Sequence, residues 1–470
     1  MGNSNNIFSK ENTSRLLLRF AVPAIISLLV VEIYAMVDTV FVGRYIGVNA
    51  IAALTIAFPI QKLLSAIGLL IAIGTSTHIS RNLGEKNPTE IKKTIVNSFF
   101  ISIILMMLVP FIIYVFRSPI LDKLGASPLT YSLAEDYVSL VLLSGIFQCL
   151  GMVMSYVMTS FGKTKVNLYA NALGVLVNII LDYILVAKLQ VGIEGAAIST
   201  VVSQVAVSAF AFYYFREAIS YYKIKLSLRA ALHSLKKNII YSILAIGFST
   251  FIVEISDATG TVILNNLLYS SGGDSAITII GAVTKVSMFM YIIIIGISSA
   301  MQPIAAYNYG AGKLDKVKET VYTTIKMAII SSVVLALFMG IFTREILGFF
   351  LKDTEILSRA VKSFRICISL IPLTGVYYVL IYYYQAIGRA KKGFLLSIFR
   401  DIIAFIPLAI TLVQVLGTLG GWFAYPLADF LSASISVYLL VKSHKGKKKL
   451  EKEREVQVEV FPGKELPLTS

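Results

Sequence analysis

Three oxygen-bearing side chains stand in apolar stretches that give them no obvious reason to be there. Asn178 and Asp182 are four residues apart, one helical turn, so on a helix they share a face. Asp38 lies in an earlier stretch, and Thr200 and Tyr137 add hydroxyls from two more. Carboxylates, an amide oxygen and hydroxyls are hard donors, suited to a small cation and equally to a proton. If Asp38 and Asp182 approach each other, neither ionises easily unless a proton or cation lies between them. The plainer alternative is that each is hydrogen-bonded between helices, and the residues alone leave both readings open.

A second group, Glu32, Glu254, Asp257, Lys285, Gln302, Arg400 and Asp401, offers candidates for cargo contact or for coupling in the second half of the chain, where Asp429 is a further acid. Lys285 could neutralise Glu254 or Asp401 in an internal salt bridge, or leave them free for cargo. Arg400 and Asp401 fall near the end of an apolar run, where long side chains can snorkel to the interface. Cys149 and Cys367 lie within apolar segments and read as small hydrophobes rather than as a disulfide or a metal site. His78, His233 and His444 are scattered, so no metal centre or hydrolytic constellation is expected.

The elements that must position these groups are membrane helices. Of 470 residues 57% are hydrophobic and only 14% charged, against about a quarter in soluble domains. The mean hydropathy of +0.79 belongs to apolar runs long enough to cross a hydrocarbon core of roughly 30 Å. That composition excludes a soluble enzyme. Apolar runs broken by Gly, Pro and charge clusters predict twelve spans, at 14–42, 48–76, 91–116, 131–160, 166–187, 192–215, 238–267, 275–301, 318–343, 356–386, 393–415 and 420–441. An ionisable group at mid-span costs roughly 2.5 to 3.5 kcal/mol on insertion scales, so each acid above needs a reason.

A net charge of +16 would suggest nucleic acid for a soluble protein. Here position decides. Of the 42 Lys and Arg, 29 fall at the two termini and in every second connection, against 8 in the other connections. Positive charge marks the cytoplasmic side, so both termini are expected inside, with no nucleic-acid partner and with the basic tail drawn to anionic lipid.

Self-comparison shows a repeat. An offset of 226 lays Gly84 on Gly310 and Phe161–Lys165 on Ile387–Lys391; an offset of 222 lays Val31–Val40 on Val253–Val262; an offset of 225 lays Gly192 and Gly195 on Gly417 and Gly420. The chain therefore reads as a duplicated unit of six spans. Parallel repeats are expected: an N-terminal six-helix bundle at 1–215, a basic cytoplasmic linker at 216–237, a C-terminal six-helix bundle at 238–441 and a cytoplasmic tail at 442–470. Two bundles joined by one linker can rock about a central cleft. Glu254 is the repeat mate of Glu32, whereas Asp38, Asn178 and Asp182 face Gly260, Ala404 and Leu408, which places the ion chemistry in the first half.

Three motifs resemble a known family: VDTVFVGRYIG followed by AIAALTIAFPI, VNIILDY followed by GIEGAAIST, and MQPIAAYNYGAGK, which contains Gln302. They resemble the multidrug and toxic compound extrusion (MATE) transporters, nearest to the DinF- and MepA-like branch, over nearly the whole span region. The resemblance implies an all-α polytopic membrane protein, twelve transmembrane helices in two six-helix bundles, exporting organic cations by antiport with Na⁺ or H⁺ and needing no cofactor. It also implies that Asp38, Asn178 and Asp182, with Thr200 and Tyr137 nearby, form the cation site, and that Glu254 contributes in the second half. A bacterial plasma membrane location and function as a monomer are expected. A flippase for lipid-linked saccharides would call for fourteen spans or a strongly basic cavity, and a membrane-embedded enzyme for clustered His and Asp.

Overall fold

The structure is a computed structural model that describes residue 8 and residues 11–224, 235–351 and 353–460, with side chains as far as 442. The middle of the expected linker with His233, the loop residue Lys352, the side chain of His444 and the end of the tail lie outside the described residues. Among the described residues there is no strand. Span 1 is Thr13–Tyr45, span 2 Val48–Gly84, span 3 Pro88–Val115, span 6 Ile193–Tyr221 and span 9 Leu314–Ile341. Span 5 is Lys165–Asp182 continued by the π-helical turn Tyr183–Lys188, and span 12 lies at the start of Thr418–Val460.

Local chemistry sets the starts. Asn12 accepts from the Ser14 N–H at 2.9 Å, and Asn87 accepts from Glu90 N–H at 3.1 Å with Pro88 at the first helical position. Several helices run past the expected ends, span 2 to Gly84 and span 6 to Tyr221. Hydropathy stops at the membrane interface, but backbone hydrogen bonding continues through the polar residues beyond it.

Spans 7 and 8 form one helical run, Lys237–Gly310, of 74 residues. At about 1.5 Å per residue such a run is several membrane thicknesses long. Gly273, at φ 61° and ψ −154°, breaks it in a conformation open almost only to glycine. The expected loop around SSGGD thus shrinks to one residue. With this break, and with the two bent pairs counted as single spans, the described residues contain twelve helical stretches long and apolar enough to cross a membrane.

The duplication is visible in the bends. Span 4 is Tyr131–Val141 plus Ser144–Ser160 and span 10 is Thr354–Ile368 plus Ile371–Ala386; both bend by 44°. Short helices at Arg117–Lys123 and Thr343–Gly348 follow spans 3 and 9. Gly192 and Gly417, with φ of 84° and 60°, turn the chain into spans 6 and 12. Span 11 departs from strict repetition: Ala390–Ile398 and Ile406–Leu416 are joined by a π-helical stretch, Phe399–Phe405. Outward-facing side chains such as Met107, Phe111, Val334 and Leu337 are more than half exposed, as a lipid-facing surface requires. Cys149 and Cys367 are buried and free, in keeping with packing roles.

An even number of spans returns both ends of the chain to one side. On that side the two bundles meet backbone to backbone. A methyl group at Gly247 of span 7 would collide with the Leu70 carbonyl of span 2, one at Gly74 with the Ile243 carbonyl, and one at Gly296 of span 8 with Ile25 of span 1.

Candidate functional site

In the first bundle span 5 is held against span 1 by polar contacts, Asn171 Nδ2 donating to Ser27 Oγ at 2.7 Å and Asn167 Nδ2 to the same oxygen at 3.2 Å. Asp38 and Asp182 thereby come near enough for each charge to act on the other. Asp38 is 8% exposed, and Asn178 and Asp182 are fully buried. One oxygen of Asp38, both of Asp182 and both polar side-chain atoms of Asn178 have no hydrogen-bond partner in the protein.

An unsatisfied buried polar atom costs roughly 1 to 3 kcal/mol, more when charged. Four of the five, the Asp38 oxygen, the two of Asp182 and the amide oxygen of Asn178, are acceptors, so this is a place where a positively charged ligand could be balanced. Its donors are two carboxylates and an amide oxygen, a hard-oxygen set suited to Na⁺ or a proton. Among the described residues no group of three or more His, Cys, Asp or Glu forms a transition-metal site.

The wall of this site is hydroxylic. Tyr34 Oη and Thr200 Oγ1 are 3.3 Å apart, and Gln61 Nε2 donates to Tyr137 Oη at 3.0 Å. Tyr137 and Tyr34 both lie within the field of Asp38. All five residues expected at the site are thus gathered, with Tyr34 and Gln61 as additions. Tyr34 is one turn before Asp38, a spacing the sequence shows; Gln61 carries no comparable signal.

The second group is divided differently from expectation. Lys285 pairs with neither Glu254 nor Asp401. Glu254 instead accepts from Lys62 of span 2 at 2.5 Å, across the boundary between bundles. Lys285 faces span 1 and lies within the field of Glu32. Arg400 does not snorkel. It is 7% exposed, its guanidinium donating to Asp401 Oδ1 at 2.7 Å, to Asp429 Oδ1 at 2.9 Å and to Tyr291 Oη at 2.9 Å, because these partners are nearer than the interface. Gln302 faces no cleft: its amide donates to Gln385 Oε1 at 2.8 Å, and Gln385 donates to Thr250 Oγ1 at 3.0 Å, tying spans 7, 8 and 10 together. The tyrosines 377, 378, 382 and 384 are buried in helix packing.

A duplicated six-helix bundle with a buried, unsatisfied carboxylate site defines a membrane transporter, not an enzyme. The MatE family pattern matches residues 23–184 and again 245–411, and the chain belongs to that family. Two relatives called multidrug export protein MepA are similar over most of their length. The one from Staphylococcus aureus is 26% identical over 437 residues, 92% of this chain and 95% of its own; the one from Staphylococcus saprophyticus is 27% identical over 439 residues with the same coverage. Among solved structures, a MATE in complex with MaL6 superposes with a TM-score of 0.88 at 22% identity, covering 94% of this chain and 99% of that one. A MOP superfamily transporter from Pyrococcus furiosus, whose binding pocket of reverse polarity suggests a different function, superposes at 0.85 and 22% identity over 92% and 95%. These structures establish the fold; cargo has to be argued from the site.

Proposed function

We propose that the chain is a secondary antiporter that exports organic cations, drugs among them, in exchange for Na⁺ or H⁺ by alternating access. The observation that carries the reading is the unsatisfied cluster of Asp38, Asn178 and Asp182. The relatives named as multidrug export proteins support the cargo class. In this reading residues 1–215 and 238–441 are the two moving bundles, 216–237 links them and 442–470 is a tail. The protein works as a monomer in a bacterial plasma membrane with both termini in the cytoplasm, where the basic connections belong.

A cation arriving from outside neutralises the repulsion between Asp38 and Asp182 and draws spans 1 and 5 together. That movement weakens the hold on cargo, which leaves, and the cation is released inside. The coupling is reciprocal, since cargo must weaken cation binding by the factor by which the cation weakens cargo binding. Counterflow of a fluorescent cationic dye in proteoliposomes, with Na⁺ and pH gradients imposed separately, tests this. Dye movement against its gradient under one of them is expected; none under either would overturn the reading.

A further inference from the structure

Spans 2 and 7 run antiparallel and touch through Leu70 and Gly247, and beyond that contact residues 61–63 and 251–255 are no longer fully buried. Two turns further from that contact Lys62 reaches Glu254, so the ion pair joins the two bundles just past their seal, at the floor that a cleft between rocking bundles would have. Each side chain keeps a quarter of its surface exposed. Asp257, on Glu254's face one turn on, is exposed, and Glu32 is half-buried; both lie within the field of Lys62. Lys285 of span 8 lies within the field of Glu32 of span 1.

Acids outnumber bases on this floor, and Lys62, an ammonium on a flexible stem, is the only group in ion-pair contact with Glu254 among the described residues. We propose that Lys62 is a tethered competitor for cargo, its ammonium holding the seat at Glu254 that the charged nitrogen of an organic cation must take. This rests on the cation-export reading and assigns it a seat. Cargo binding at Glu254 releases Lys62 and cuts the ion pair that joins spans 2 and 7. When cargo leaves, Lys62 returns and neutralises Glu254, so the empty cleft closes without a bare carboxylate in its floor. The competition sets a threshold: a cation must interact with Glu254 and Asp257 better than a primary ammonium does. Flat cations with a dispersed charge, which are cheap to desolvate, pass it; small hydrated amines do not.

Ethidium binding to the full-length protein in nanodiscs, followed by fluorescence anisotropy, tests the competition. Lys62→Gln is expected to tighten ethidium binding about two- to fivefold, the worth of one partly exposed ion pair. Glu254→Gln is expected to weaken it, and Lys62→Gln to give no gain in the Glu254→Gln background. Lys62→Arg, which holds the carboxylate more firmly, should weaken binding severalfold and keeps the test alive if Lys62→Gln fails to fold. Unchanged or weaker binding in Lys62→Gln, an equal gain in the Glu254→Gln background, or unchanged binding in Lys62→Arg would overturn the inference while leaving the export reading intact. If ethidium binds neither the wild type nor any variant, the cation-export reading itself fails.

Discussion

Gly84 and Gly310 are repeat mates that pack into each other's helix ends, Gly84 against the Tyr307 carbonyl and Gly310 against the Arg81 carbonyl. The contact is its own image under the repeat, so the pseudo-two-fold axis between the bundles passes through it. With the contacts at Gly74, Gly247 and Gly296 it closes the side of the protein that carries both termini. The absence of side chains there lets two backbones meet and separate without repacking.

Overfilling this seal should hold it open. Replacing Gly84 or Gly247 with Leu is expected to disfavour the closed arrangement by about 1 to 3 kcal/mol, the usual cost of overpacking. Cysteines placed on the terminal-side ends of spans 2 and 8 would read this as slower cross-linking. Cross-linking at the wild-type rate would show that the glycines are incidental.

The proposed cation site makes a sharper demand. Asp38→Asn removes a charge from the set proposed to balance one, so gradient-driven dye export should fall by the full coupling factor, about 5- to 150-fold. Asn178→Ala, which removes only a neutral ligand, should cost less. Transport by Asp38→Asn at the wild-type rate would remove this site from the coupling step.

Arg400 is a structural charge. Arg400→Met would leave Asp401 and Asp429 facing each other without a counter-ion, and losing one partner of a buried pair costs about 3 to 5 kcal/mol. The thermal midpoint in detergent is expected to drop accordingly. Arg400→Met combined with Asp401→Asn and Asp429→Asn should recover much of the loss; a triple variant no better than the single one would show that the arginine acts through packing instead.

How far the sequence discloses this structure depends on range. The spans and the repeat are legible because polar groups are scarce between the interfaces, and a four-residue spacing puts Asn178 and Asp182 on one helix face; that Asp38 belongs with them is implied by the family resemblance alone. The pairing of Lys62 with Glu254 is not, since it depends on which spans of opposite bundles touch, and Lys285 in the same half as Glu254 is the more natural guess. Arg400 escapes for another reason. The π-helical stretch at Phe399–Phe405 shifts the register of span 11, and no residue in RDIIAF announces it. The break at Gly273 is intermediate: SSGGD signals a turn, but hydropathy cannot tell a five-residue loop from a single left-handed glycine inside a helical run.

That glycine also makes a test of the twelve-span reading. At φ 61° and ψ −154° a side chain is strained whatever space surrounds it, and no heavy atom lies near the position a Cβ would take. Gly273→Ala should therefore destabilise the protein through backbone conformation alone, by about 1 kcal/mol or more, while deleting no contact. Gly281, in span 8 with equally open surroundings and no such φ, serves as the control, and Gly281→Ala should be neutral or slightly stabilising. Thermal unfolding of the two variants in the same detergent compares them directly. Equal midpoints would mean that spans 7 and 8 are not divided by a left-handed residue at 273.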